Sequence, residues 1–148
     1  MTGFWDKAES YANEARNYIK KRGDSTTGYT KPAYSMHFMS DMSCPYHATV
    51  PIYLADHQAY ETYVGNNWRS GKNYYSDPYN DGYYYHISDV SDSAGNPAST
   101  VNGYLSEITT IMNTYANWQN NPTLVQDTRT HLVAGERYHA GLINYVLR

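Results

Sequence analysis

The chain is short of aliphatic side chains. Leu, Ile, Val and Phe together supply 21 of its 148 residues, below the share of roughly 20% at which a sequence begins to look unable to bury a core. The other mark of a disordered chain, a large net charge, is missing too: the formal charge is −3, which argues against disorder. The absent apolar area must come from Tyr, Trp, Met and Ala. A single cysteine excludes an intrachain disulfide framework. No apolar run opens the chain and none approaches 18 residues. The expectation is therefore a protein without a signal peptide or membrane span, made in the cytoplasm, whose destination includes a virion or other particle. There is no basic surplus to neutralise a phosphate backbone, which argues against direct nucleic-acid binding. The one basic cluster, Lys20-Lys21-Arg22, closes an expected helix, where cations complement the helix dipole.

What the chain has in quantity is tyrosine, 18 residues against 2 Phe and 3 Trp. Twelve of the 18 lie between Tyr29 and Tyr85, among Gly, Pro, Asn, Asp and Ser. Tyrosine combines an apolar ring with a hydrogen-bonding tip and only two torsions to freeze. It suits a surface that is wet when the chain is alone and covered when a partner arrives.

The pattern predicts a mainly α fold (α-rich α+β) in one domain, 1–148, with three to four helices. Phe4, Ala8, Tyr11, Ala12, Ala15 and Ile19 repeat at helical spacing and predict a helix over 2–22, stopped by Gly23. Residues 24–98 read as a long Tyr-rich insertion, irregular or with a little β-structure. Within it, short extended pieces are expected at 33–39 and 46–53, and a short helix over 52–64 ends at Gly65. Asp81-Gly82 reads as a hairpin turn pairing 74–79 with 83–87, and SDSAGNPAST (91–100) as a linker. Val101, Tyr104, Leu105, Ile108, Ile111, Met112, Tyr115 and Trp118 form one apolar stripe, predicting a helix over 100–119. Pro122 sits in the first turn of a last helix, 122–147, with Val125, Leu132, Leu142, Ile143 and Val146 inward. The short break between these two helices predicts an antiparallel αα-hairpin over 100–147.

Three constellations carry chemistry. In MHFMSDMSCPYH, Met36, Met39, Met42, Cys44 and His47 offer soft sulfur and imidazole donors suited to Cu(I), although methionine also fills gaps in a thin core. Cys44-x-x-His47 is half of a zinc site, with no second pair of matching spacing. Glu136-x-x-His139 is half of a di-iron helix motif without its counterpart. Packing and solvation account for all three, so no metal, no cofactor and no catalytic residue is expected. Trp68, Tyr74, Tyr75, Tyr79, Tyr83, Tyr84 and Tyr85 form the expected contact surface. The resulting expectation is a non-enzymatic structural protein, a virion component or filament subunit, that self-associates or packs with other assembly subunits. The alternatives are a carbohydrate or small-ligand binding module built on the Trp/Tyr/Asn/Asp-rich loops, and a small metal-dependent protein.

Overall fold

The computed structural model describes residues 9–17, 34, 37, 40, 41, 44–47 and 54–148, the side chains of 54 and 91–98 excepted. The chain is mainly helical, and no strand occurs among the described residues. Helix α1 is the stretch 9–17. It is followed by α2 (Leu54–Asn66), α3 (Ser76–Asp81), α4 (Val90–Thr114), a 3-10 turn at Trp118–Asn120 and α5 (Pro122–Leu147). None of these helices is long and apolar enough to cross a membrane.

The start of α5 follows from its sequence. The Asn121 side chain accepts hydrogen bonds from the backbone N–H groups of Thr123 (2.9 Å) and Leu124 (3.3 Å), and Pro122 occupies a position that needs no donor. Helices α4 and α5 pack antiparallel. Val90 at the start of α4 meets Leu142, Tyr145 and Val146 at the end of α5, together with Ala12 and Ala15 of α1. Ile108 and Ile111 near the end of α4 meet Leu124 near the start of α5, together with Tyr46, Tyr60, Tyr63 and Tyr74. The predicted αα-hairpin is present, and its second core cluster is largely aromatic, as the aliphatic shortage requires.

Several boundaries differ from expectation. The predicted linker is helical: α4 runs through 91–100 and begins at Val90. Val90 and Val101 are fully buried on either side, and that packing overrides the turn-prone composition between them. The other end of α4 stops at Thr114, so Tyr115 is exposed and Trp118 stands in the 3-10 turn, 5.1 Å from the Tyr63 ring. Ile143, expected inward, is exposed, because Leu142, Tyr145 and Val146 take the buried face and leave its neighbour outside.

The expected 74–79/83–87 hairpin is not formed. Residues 76–81 are the helix α3, and Gly82 ends it with φ +70°, acting as a left-handed helix cap rather than as a hairpin turn. Of the pieces expected to be extended, Tyr34, His37 and the turn at 44–47 are described, and the first two are helical. Met36, Met39 and Met42 lie outside the described residues, as do the outer parts of the 2–22 helix.

Buried phenols dominate the second core cluster. The Tyr63 and Tyr74 hydroxyls are 2.5 Å apart, and Tyr46 Oη lies 3.2 Å from Thr109 Oγ1 and donates to Met112 Sδ at 3.3 Å. Burial pushes the ionisation of Tyr46, Tyr60, Tyr63 and Tyr74 above the usual tyrosine value of 10.0. A group raised in the folded state stabilises the fold below its unfolded pKa, and that contribution is lost as pH climbs past about 10. Titration of the tyrosinate absorbance should therefore show these four lagging and appearing together with loss of the helical signal. Simultaneous ionisation of all 18 tyrosines near pH 10 with the helices intact would contradict the buried network.

Candidate functional site

Two features of the surface are built rather than incidental. The first begins at the turn 44–47. Cys44 N–H donates to the Asp41 carbonyl (3.1 Å), and His47 N–H to the Cys44 carbonyl (3.0 Å). Pro45 and Tyr46 are buried and fix the turn against α4, so Cys44 and His47 are held on one side of it. Helix α2 supplies the facing residues. His57 and Glu61 are one turn apart on the same helix face, while Tyr60 points into the core.

Their donor atoms converge. Glu61 Oε1 lies 2.8 Å from His57 Nε2 and 3.3 Å from His47 Nε2. The two imidazoles meet edge to face with centroids 4.4 Å apart, and His57 stacks on Tyr46. One donor atom each from Cys44, His47, His57 and Glu61 lies within 4.8 Å of the other three. Burial pushes the Cys44 thiol up to about 11, with the Glu61 and Asp41 charges adding to the rise. The backbone N–H groups of Tyr46 and His47 act on the sulfur in the opposite direction. With no cation beside it, this thiol stays protonated at neutral pH, which does not suit a nucleophile.

Behind this cluster a cavity of about 420 Å³ is lined by Cys44, Glu61, Trp68, His131, Glu136 and His139 among others. The Tyr60 hydroxyl, at its wall, is 2.9 Å from Thr128 Oγ1 and 2.6 Å from His131 Nε2. Thr128 spends its own proton on the Leu124 carbonyl. Tyr60 therefore donates to Thr128, and His131 Nε2–H donates to Tyr60. The Glu136-x-x-His139 pair also faces the cavity. Its Glu136 Oε2–His139 Nδ1 separation is 3.8 Å, too long for a hydrogen bond, and Ser40 Oγ is 2.9 Å from His139 Nε2.

The second feature is an extended strap, residues 82–87, laid along α5. Arg137 grips Asp81 through two 2.7 Å bonds, and this bidentate partner holds the Asp81 carboxyl below its ordinary value. Tyr85 N–H donates to the Arg137 carbonyl at 3.1 Å. Ile87 is buried, and its carbonyl accepts from Arg148. Gly141 lets the strap backbone come close. One turn earlier, Asp77 pairs with Arg129, which also donates to the Lys72 carbonyl at 2.6 Å.

Held in this way, the strap and α3 display Tyr79, Tyr83, Tyr84 and Tyr85 at 69%, 73%, 51% and 38% exposure. The Arg137 guanidinium lies over the Tyr83 and Tyr85 rings, at 5.6 and 5.8 Å. The other residues of the expected contact surface are placed differently. Tyr74 is fully buried, while Tyr75 and Trp68 are half-buried and pack edge to face.

The chain matches no protein-family model, no curated protein and no solved structure.

Sequence reasoning found Cys44 and His47 but missed their partners. His57 and Glu61 carry a legible signal, two donors at i, i+4 on a helix, but neither spacing nor composition ties them to a turn ten residues away.

Proposed function

We propose that this chain is a non-enzymatic structural protein that packs with copies of itself into a larger particle, such as a virion shell or filament, through the tyrosine strap. The observation that carries this reading is the row Tyr79, Tyr83, Tyr84 and Tyr85. These rings are exposed although the backbone beneath them is clamped by Asp81, Arg137 and Gly141. Rigid, exposed aromatic side chains lose little entropy on contact and are the types most often found at energetic hot spots. The small net charge of −3 opposes self-association only weakly.

The test is sedimentation of the wild-type chain and of a Tyr83→Ala/Tyr84→Ala double variant. The wild type should form a defined oligomer with obligate interfaces of roughly 2,000 Å² or more. The variant should be smaller, with its helical circular dichroism unchanged. A wild type that stays a folded monomer at high micromolar concentration would sink the proposal.

A second reading, a small-ligand binding module, is supported by the cavity. It combines the Trp68 ring with the polar groups of His131, Glu136 and His139 in a volume that suits a small polar molecule. Thermal shifts with a panel of mono- and disaccharides, lost on Trp68→Ala, would favour it over assembly.

A further inference from the structure

We propose that Cys44, His47, His57 and Glu61 form a structural zinc site that joins the 44–47 turn to α2. The donor set is one sulfur, two imidazole nitrogens and one carboxylate oxygen, all within 4.8 Å of one another. Tetrahedral zinc takes such donors at about 2.0–2.3 Å, which places them roughly 3.2–3.8 Å apart. Closing the cluster onto an ion therefore needs side-chain shifts of only about 1 Å. Calcium and magnesium require oxygen ligands and do not fit. A thiolate and a carboxylate neutralise the dication, so the half-buried site carries no net charge.

An ion pair between Glu61 and the two histidines is the plainer account, and two observations exceed it. The first concerns His57 Nε2, a buried atom 2.8 Å from Glu61 Oε1 that nonetheless makes no hydrogen bond. The second is that Cys44 contributes nothing to such a pair, yet its sulfur stands in the same cluster.

Four protein donors leave no open position for water, which makes the site structural rather than catalytic. The ion would link a turn anchored on α4 by Tyr46 to the helix that carries Tyr60 and Tyr63. It would thus tie the aromatic core together from outside. The site stands independently of self-association through the strap.

The experiment uses the full chain purified without chelator. Elemental analysis should give one zinc per chain. Replacement by Co²⁺ should give the intense visible bands of tetrahedral cobalt together with a near-ultraviolet thiolate-to-metal band. Cys44→Ser should abolish the thiolate band. Glu61→Gln, at a half-exposed position, should weaken zinc more than the roughly 10–100-fold that loss of an outer-shell partner causes. His86→Ala, on an exposed residue outside the cluster, should bind as the wild type does. The proposal is overturned if cobalt gives only the pale octahedral spectrum, or if Cys44→Ser and Glu61→Gln hold zinc as tightly as the wild type. Retained metal without the thiolate band would equally remove Cys44 from the site.

Discussion

Leu142→Ala and Ile108→Ala should each destabilise the chain by about 2–5 kcal/mol, the range for truncating a fully enclosed aliphatic side chain. Both residues have no exposed surface, and each sits in a different core cluster. In a chain with so few aliphatics there is little to relax into the space left behind, so values toward the upper end are expected. Urea denaturation followed by circular dichroism gives the number. Leu105→Ala and Leu132→Ala should cost less, since both are only half-buried and pack at the edge of the aromatic cluster. Equal losses at buried and half-buried positions would show that the hairpin is not the folding core.

The second large effect is expected at Gly141. A methyl group there would overlap the Tyr85 carbonyl oxygen and lie 3.3 Å from Ile87 Cγ1. The first contact is with backbone that Arg137 holds, so no side chain can swing aside. Gly141→Ala should cost about 1–3 kcal/mol through overpacking and lift the strap, and the self-association proposed above should then fall along with stability. Gly103 supplies the contrast. It is exposed within α4, and a methyl group added there would meet nothing within 4 Å. Gly103→Ala should stabilise by about 0.5–1 kcal/mol. Melting curves of the two variants should move in opposite directions. Shifts of the same sign would mean that the strap does not lie against α5.

The helices that bury a periodic stripe were legible in the sequence. The stripe from Val101 to Met112 and the Asn121-Pro122 start of α5 specify the hairpin, because one side-chain period and one capping geometry decide them locally. Segments whose conformation depends on a distant partner were not legible. SDSAGNPAST has the composition of a linker and is helical because Val90 and Val101 are buried at its flanks. Asp81-Gly82 has the composition of a hairpin turn. It ends a short helix instead, because Arg129 and Arg137 of α5 hold Asp77 and Asp81 on one side of it. Tyrosine count foretold an exposed aromatic row but could not divide it. Tyr74 and Tyr83 have similar neighbours in sequence, yet one bonds to Tyr63 in the core and the other faces outward. The four-donor cluster was half legible, since a turn and a helix contribute two donors each and only the fold brings them together.

The packing of α1 has a consequence for the order of events during synthesis. Ala12 and Ala15 are covered by Leu142, Tyr145 and Val146, and the Tyr145 hydroxyl donates to Asn13 Oδ1 at 2.7 Å across 132 positions of sequence. A ribosome adds about 5–20 residues per second. Residues 9–17 are therefore translated roughly 7–26 seconds before the side chains that cover them. During that interval the part of their apolar face that Leu142, Tyr145 and Val146 cover is open to any other apolar surface at hand, including those of sister chains on the same message. The N-terminal helix is thus the element whose safe burial depends most on the speed at which the rest of the chain is made.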